Sequence, residues 1–258
     1  MIGIFDSGLG GLTAYKELHA LLPAGDFVYF GDTGRVPYGS RSREILTRYA
    51  RQDIRFLLRQ GADVILAACG TVSSVVLDDI KSEFSIPLFG VVDASVNAAL
   101  AATKNEKIGV IGTGATISSG AFAKKIAAAN PHAAVTSIAC PLFVPLVENG
   151  YIGRGCTVTR EVAADYLAPL RDEGIDTLIL GCTHFPIIAD IIGDLLPGVT
   201  LVNSGAAAAA EVAAVCGKTS GSGSASFFVS DSPVNFDTVA RVFLGGETIR
   251  AQKVDIEA

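Results

Sequence analysis

The sequence predicts an α/β fold of two related halves with central, mainly parallel sheets, and three observations carry that expectation. Short apolar runs alternate with longer helix-patterned segments along the 258 residues, which is the signature of βαβ units. Part of the pattern recurs: Ile2-Gly-Ile-Phe-Asp-Ser-Gly8 resembles Ile108-Gly-Val-Ile-Gly-Thr-Gly114, an offset of 108 − 2 = 106, and such self-similarity marks an internal repeat. The runs Ala62-Asp-Val-Ile-Leu-Ala-Ala-Cys69 and Ile175-Asp-Thr-Leu-Ile-Leu-Gly-Cys182 each end in a thiol, an offset of 182 − 69 = 113.

Taken in order, a first strand is expected near 2–5, followed by the Gly-rich turn Asp6-Ser-Gly-Leu-Gly-Gly-Leu12 into a helix. After a strand near 27–30 comes the loop Tyr29-Phe-Gly-Asp-Thr-Gly-Arg-Val-Pro-Tyr-Gly39. There Pro37 disfavours helix at residue 36, and Gly39 permits a sharp turn. The next helix is expected over 42–60, with Ile45, Tyr49, Phe56 and Leu57 as its buried face and Gly61 as its stop. Arg48, Arg51, Arg55 and Arg59, spaced by three and four, read as its solvated face. Strands near 63–68 and 87–91 complete the first half. Those near 108–112, 135–139, 177–181 and 199–202 build the second. Pro87-Leu-Phe-Gly-Val-Val-Asp93 resembles Val199-Thr-Leu-Val-Asn203, and an alanine-rich helix follows each, Ala94–Ala102 and Ala206–Val215. Thr219–Ser226 reads as a flexible Gly/Ser loop. Phe227–Gly245 then supplies one more strand, near 227–229, and a helix that pack back on the first half. The expected domains are therefore 1–93 plus 205–258, and 94–204.

Half the residues are hydrophobic and only 18% are charged, so a compact core is expected rather than disorder. A net charge of −6 argues against a nucleic-acid surface. Five cysteines without a CxxC pair do not form a disulfide framework. No signal-like segment precedes Ile2, and no apolar run approaches the roughly 20 residues of a membrane span. A cytoplasmic location is expected, with no membrane partner, and a reducing compartment would keep the thiols free.

The chemistry is expected at the carboxyl ends of the strands, where open α/β sheets bind ligands. Cys69 is followed by Gly70 and Thr71, and Cys182 by Thr183 and His184. A single thiol after a strand is ordinarily a small buried hydrophobe, which is the reading for Cys140, Cys156 and Cys216. Duplicated position and polar successors set Cys69 and Cys182 apart, as two acid/base groups facing one substrate from opposite sides. A nearby charge or helix N-terminus makes such a thiol a useful base. His184 would tune Cys182, and Asp6 would serve Cys69 in the same way. Glu148 reads either as an exposed turn residue or as a desolvated carboxylate tuning the second base. Ser7 and the backbone near it would receive an anionic substrate, and Tyr38-Gly39 would wall one end of a small pocket. Thr113 and Thr116 are hydroxyl donors or merely helix caps. Asp6-Ser-Gly-Leu-Gly-Gly-Leu12 lacks GxGxxG spacing, and no GK[ST] follows for a phosphate loop. Zinc finds at most two ligands in Cys182-Thr-His184. No lysine stands after a strand as a pyridoxal phosphate site requires. No metal and no cofactor are therefore expected.

With these residues in hand, the chain resembles the glutamate racemases of the cofactor-independent aspartate/glutamate racemase superfamily. The likeness runs nearly the whole length. It is carried by Phe5-Asp-Ser-Gly-Leu-Gly-Gly-Leu12, Phe30-Gly-Asp-Thr-Gly-Arg-Val-Pro-Tyr-Gly39, Cys140-Pro-Leu-Phe-Val-Pro-Leu-Val-Glu148 and Leu180-Gly-Cys-Thr-His-Phe-Pro186. The resemblance implies two pseudo-symmetric domains with the active site in the cleft between them, a homodimer, and interconversion of L- and D-glutamate for peptidoglycan. It implies Cys69 and Cys182 as the two bases, and Asp6, Glu148 and His184 as their helpers. Asp6, Ser7, Tyr38, Gly39, Gly70, Thr71, Thr183 and His184 fall at its substrate-contact positions. Related sequences usually carry Asn where this chain has Gly70, and the segments Val92-Asp-Ala-Ser95 and Asn203-Ser-Gly-Ala206 also depart from the common pattern. These changes bear on substrate preference, so an aspartate or broader amino-acid racemase is the nearest alternative. An arylmalonate decarboxylase relative would need one cysteine rather than two. A non-catalytic relative that binds an acidic ligand is the alternative from another class.

Overall fold

The computed structural model describes residues 1–217, 221–231 and 236–256. Among them are ten strands: β1 (Ile2–Asp6), β2 (Phe27–Gly31), β3 (Val64–Ala67), β4 (Leu88–Gly90), β5 (Lys107–Gly112), β6 (Ala134–Ala139), β7 (Thr177–Leu180), β8 (Thr200–Asn203), β9 (Ala225–Val229) and β10 (Ala251–Lys253). They form two sheets, ordered β10-β9-β2-β1-β3-β4 and β6-β5-β7-β8. Every neighbouring pair is parallel. The second sheet repeats the order of β2-β1-β3-β4. In the first, Ile2 stands opposite both Phe27 and Val64; in the second, Ile108 stands opposite Val135 and Thr177. The repeat in the sequence is thus a repeat of topology and register.

Buried parallel strands bear apolar residues on both faces, and here successive residues feed different cores. Ile2 and Ile4 enter a core shared by the two halves, whereas Phe5 enters a second one beneath the helix Arg43–Arg59. In β5, Ile111 joins the shared core, and Ile108 and Val110 join a third with Phe122 and Ile126. The shared core is closed largely by the helix Leu12–Leu21 packed on the alanine-rich helix Ser204–Cys216. Small side chains there let the two backbones approach.

The structure differs from the sequence expectations in five places. The helix Arg43–Arg59 buries Leu46, Ala50, Asp53, Ile54, Phe56 and Leu57, while Ile45 and Tyr49 lie at the edge of that stripe. Its arginine face is solvated, with Arg51 bonded to Glu83 at 2.6 and 2.9 Å. The helix expected from Ala94 begins at Val91. Thr219 and Ser220 lie outside the described residues. The rest of the Gly/Ser loop is not slack: Ser222 and Ser224 donate to Asp26, and Ala225 already belongs to β9. β10 is a short polar edge strand that carries no apolar signal. Cys156 and Cys216 are half-buried rather than core residues, although Cys140 is fully buried, and all five cysteines are free. Among the described residues no helix is long and apolar enough to cross a membrane.

Candidate active site

In each sheet the strand order reverses beside the first strand of the repeat, β1 between β2 and β3, and β5 between β6 and β7. Connections leave such a strand pair in opposite directions and open a crevice at the carboxyl ends. Asp6 ends β1 and Ser7 follows it; Cys69 lies two residues past β3. Thr113 follows β5, and Cys182 lies two residues past β7. The two crevices face each other and close around one cavity of about 520 Å³. Asp6, Ser7, Tyr38, Gly39, Cys69, Gly70, Thr71, Thr113, Glu148, Cys182, Thr183 and His184 all line it.

Thr116 does not line it. Its hydroxyl lies 3.0 Å from that of Thr113, and it is buried behind that residue. Thr113 has two roles. It caps the helix Gly114–Ser119 by accepting from the Thr116 N–H, and its hydroxyl meets that of Thr71 at 3.1 Å across the cleft.

The two thiols stand in unlike surroundings. Cys69 is buried beside Asp6; burial first, and then the Asp6 charge, push its thiol up to about 12. Asp6 is itself raised by burial, opposed by His184 and by the N–H groups of Gly11, Gly8 and Ser7. The Gly8 N–H donates to Asp6 Oδ2 at 3.1 Å. On the other side, His184 Nδ1 lies 3.8 Å from Cys182 Sγ and 3.3 Å from Thr183 Oγ1, and its Nε2 lies 3.0 Å from Glu148 Oε1. Burial pulls the imidazole down, but its bonds to Cys182 and Glu148 and their charge outweigh that and raise it to about 10. With both ring nitrogens protonated, Nδ1–H points at the Cys182 sulfur and Nε2–H at Glu148. Glu148 is 45% exposed, so it is not the desolvated carboxylate of the sequence expectation. It reaches the second thiol only through His184, from the end of the helix Phe143–Glu148.

Gly70 is explained by the opposite half. A β-carbon there would lie 2.3 Å from the Gly181 carbonyl oxygen. The space a side chain at residue 70 would need is filled by the backbone leading to Cys182.

Several site residues escape sequence reasoning. Gly10 packs against the Thr183 and His184 side chains, where a β-carbon would lie 2.1 and 2.7 Å from their nearest atoms. The Tyr29 hydroxyl donates to the Gly8 carbonyl at 2.8 Å and supports the turn after Asp6. Phe243 stands edge-on to the His184 ring, centroids 5.2 Å apart. Only Gly10 had a signal, as part of the Gly-rich turn; the others depend on distant segments meeting.

Among the described residues no arginine or lysine lines the cavity, which leaves His184 as the cationic side chain there. Among the described residues no three His, Cys, Asp or Glu side chains converge as a metal site needs. The arrangement offers two sulfur atoms from opposite sides, an imidazole–carboxylate pair on one of them, and hydroxyl and backbone N–H donors between.

A family model described as Asp/Glu/Hydantoin racemase matches residues 17–212. The glutamate racemase of Geobacter metallireducens is 43% identical over 264 aligned positions, covering 100% of this chain and 97% of that protein. The crystal structure of a glutamate racemase isoform from Bacillus anthracis is similar with a TM-score of 0.93 at 34% identity, over 99% of this chain and 97% of that one. The glutamate racemase of Francisella tularensis, crystallised with D-glutamate, gives a TM-score of 0.90 at 35% identity over the same shares.

Proposed function

The chain belongs to the Asp/Glu racemase family, among its glutamate racemases, and from that premise we propose that Cys69 and Cys182 are the two bases acting on the substrate's Cα. It interconverts L- and D-glutamate without a cofactor, and D-glutamate so formed enters peptidoglycan. The observation that carries the assignment of the bases is the meeting of the two thiols, from equivalent strand ends, in one cavity.

In one direction a thiolate of one cysteine takes the α-proton, and the thiol of the other delivers its proton to the opposite face. The charge passes from one sulfur to the other, so the reverse reaction starts from the protonation state the forward one leaves. Cys69, buried beside Asp6, favours its thiol form. The His184 imidazolium stands 3.8 Å from the Cys182 sulfur, as a charge partner for it when it holds no proton. Glu148 orients that imidazole, and Asp6 is the neighbour that tunes Cys69. Ser7, Gly39, Thr71, Thr113 and Thr183 offer hydroxyl and backbone N–H donors to the two carboxylates and to the negative charge that develops at Cα. A pre-organised, water-poor site of this kind suits carbanion stabilisation. Gly70 contributes backbone only, and Tyr38 acts through the wall it builds. Thr116 holds Thr113.

We place the two domains at 1–93 plus 205–258 and at 94–204, with the site between them, and read the working form as a cytoplasmic homodimer. The test is proton NMR in D₂O with each glutamate enantiomer and no added cofactor. Loss of the α-proton signal together with optical activity is expected from both enantiomers, and aspartate serves as the specificity control. A Cys69→Ser, Cys182→Ser double variant that still racemises would overturn the two-thiol assignment.

A further inference from the structure

Behind the cavity wall lies a cluster of charged side chains that the mechanism above does not use. Asp32 and Asp53 are fully buried, and Tyr38 is 1% exposed. Arg35 donates through Nε to Asp32 Oδ2 at 2.6 Å, through Nη1 to Gln52 at 2.6 Å and through Nη2 to Asp53 Oδ1 at 3.1 Å. The Tyr38 hydroxyl is in short contact with Asp32 Oδ2 and lies 3.1 Å from Asp53 Oδ2. Asp32 Oδ1 accepts from the Ser230 hydroxyl at 2.7 Å.

Counting protons bears on the state of Asp53. A phenol has one proton to donate, and Tyr38 faces two carboxyl oxygens. Asp32 also accepts from Arg35 Nε through Oδ2 and from Ser230 through Oδ1, which makes it the acceptor of that proton, so the contact with Asp53 is attractive when Asp53 Oδ2 carries a proton and donates to the phenol oxygen. The Tyr38 hydroxyl then donates to Asp32 and accepts from Asp53, and the guanidinium bonds to both carboxyl groups. Two buried anions around one phenol would leave a repulsive contact. Burial, and then the Asp32 charge, push the Asp53 carboxyl well above its ordinary range against Arg35 and the Tyr38 bond.

We propose that Asp32, Arg35 and Asp53 are positioning residues for racemisation, holding the Val36–Ser40 cavity wall through the Tyr38 hydroxyl, with Asp53 kept as a neutral carboxylic acid. The wall is thereby pinned at two points. Tyr38 is tied from behind to the helix Arg43–Arg59 and to Ser230 just past β9, while Gly39 abuts Thr113 of the opposite half. The C-terminal segment thus supports the cavity from outside it. This inference rests on the reading that the cavity is the racemisation site.

The experiment compares Asp53→Ala and Asp53→Asn with the wild type, and includes Cys182→Ser. An amide replaces a neutral acid closely, donating to Tyr38 and accepting from Arg35, so Asp53→Asn should rescue what Asp53→Ala loses. For Asp53→Ala, KM for both glutamate enantiomers should rise about tenfold with a smaller change in kcat; for Asp53→Asn, KM should stay within about threefold of wild type. Infrared difference spectra of wild type against Asp53→Asn should contain the carbonyl stretch of a protonated carboxylic acid. Absence of that band, or Asn behaving no better than Ala, overturns the neutral-acid assignment. Wild-type kinetics in Asp53→Ala, with Cys182→Ser inactive, overturns the positioning role. An active Cys182→Ser would instead remove the site reading on which the proposal stands.

Discussion

At Gly70 a single missing side chain decides how the halves of the site meet. A β-carbon there would collide with the carbonyl of Gly181, one residue before Cys182, and Gly70 itself follows Cys69. A wedge at this position separates the two sulfur atoms, and misplacement of reacting groups by about 1 Å can cost on the order of 100-fold in rate. Gly70→Ala is therefore expected to lower kcat at least tenfold with both enantiomers. Steady-state kinetics on the folded variant decide it, and an unchanged kcat would show that the cleft absorbs the wedge. His184 makes a prediction about stability. Its folded-state pKa of about 10 lies above its ordinary 6.5. The imidazolium's contribution is therefore complete below about 6.5 and is lost as pH rises through about 10. Thermal melts of wild type against His184→Gln across that window should converge at the alkaline end; a constant gap would contradict the charged pairing with Cys182 and Glu148.

At the scale of elements, the pairing of the helix Leu12–Leu21 with Ser204–Cys216 joins β1 of one sheet to β8 of the other. Ala208 and Ala209 are fully buried in that contact. Their small side chains, rather than helix propensity, make the approach possible, and added methylenes in such a core cost about 1–3 kcal/mol. Ala208→Leu is expected to lower stability by about that amount, read as a shift in the midpoint of urea unfolding. A variant as stable as wild type would mean that the two helices slide apart freely. The Val36–Ser40 wall teaches the complementary lesson. Its tripeptide Pro37-Tyr38-Gly39 announces a turn, but what holds the turn is a buried network from residues 32, 52, 53 and 230.

For the whole molecule, duplication followed by divergence gives a chemical asymmetry. Both halves deliver a thiol to one cavity, yet Cys69 is accompanied by a carboxylate and Cys182 by an imidazole. Each thiol should face only one enantiomer's α-proton. In the Cys69→Ser and Cys182→Ser single variants, racemisation should fall by at least about 100-fold, the usual scale of a lost general acid or base. Each variant should still exchange the α-proton of one enantiomer in D₂O, without inversion, and the two should choose opposite enantiomers. Both variants exchanging the same enantiomer would contradict an arrangement with one base on each face.

Much of this was legible in the chain itself. The alternation of apolar runs and helical patterns named the fold class, the offsets of 106 and 113 announced two sheets of like order, and the cysteines at matching strand ends pointed to the cavity that both of them line. These signals are local: periodicity, turn residues and repeat spacing act within a few residues of where they are read. Other features were not legible. That Glu148 bonds to His184, that Thr116 stands behind Thr113, and that Gly70 abuts Gly181 depend on segments about 36, 3 and 111 residues apart, and even the short separation is settled by which face of a turn meets the cleft. Asp53 drew no reading from the sequence, and only its burial against Arg35 and Tyr38 brings it to the back of the cavity wall. Pattern determined which elements form and where their ends lie. Tertiary packing alone decided which of those ends share one desolvated space, because burial and charge pairing arise only between groups that the folded chain brings together.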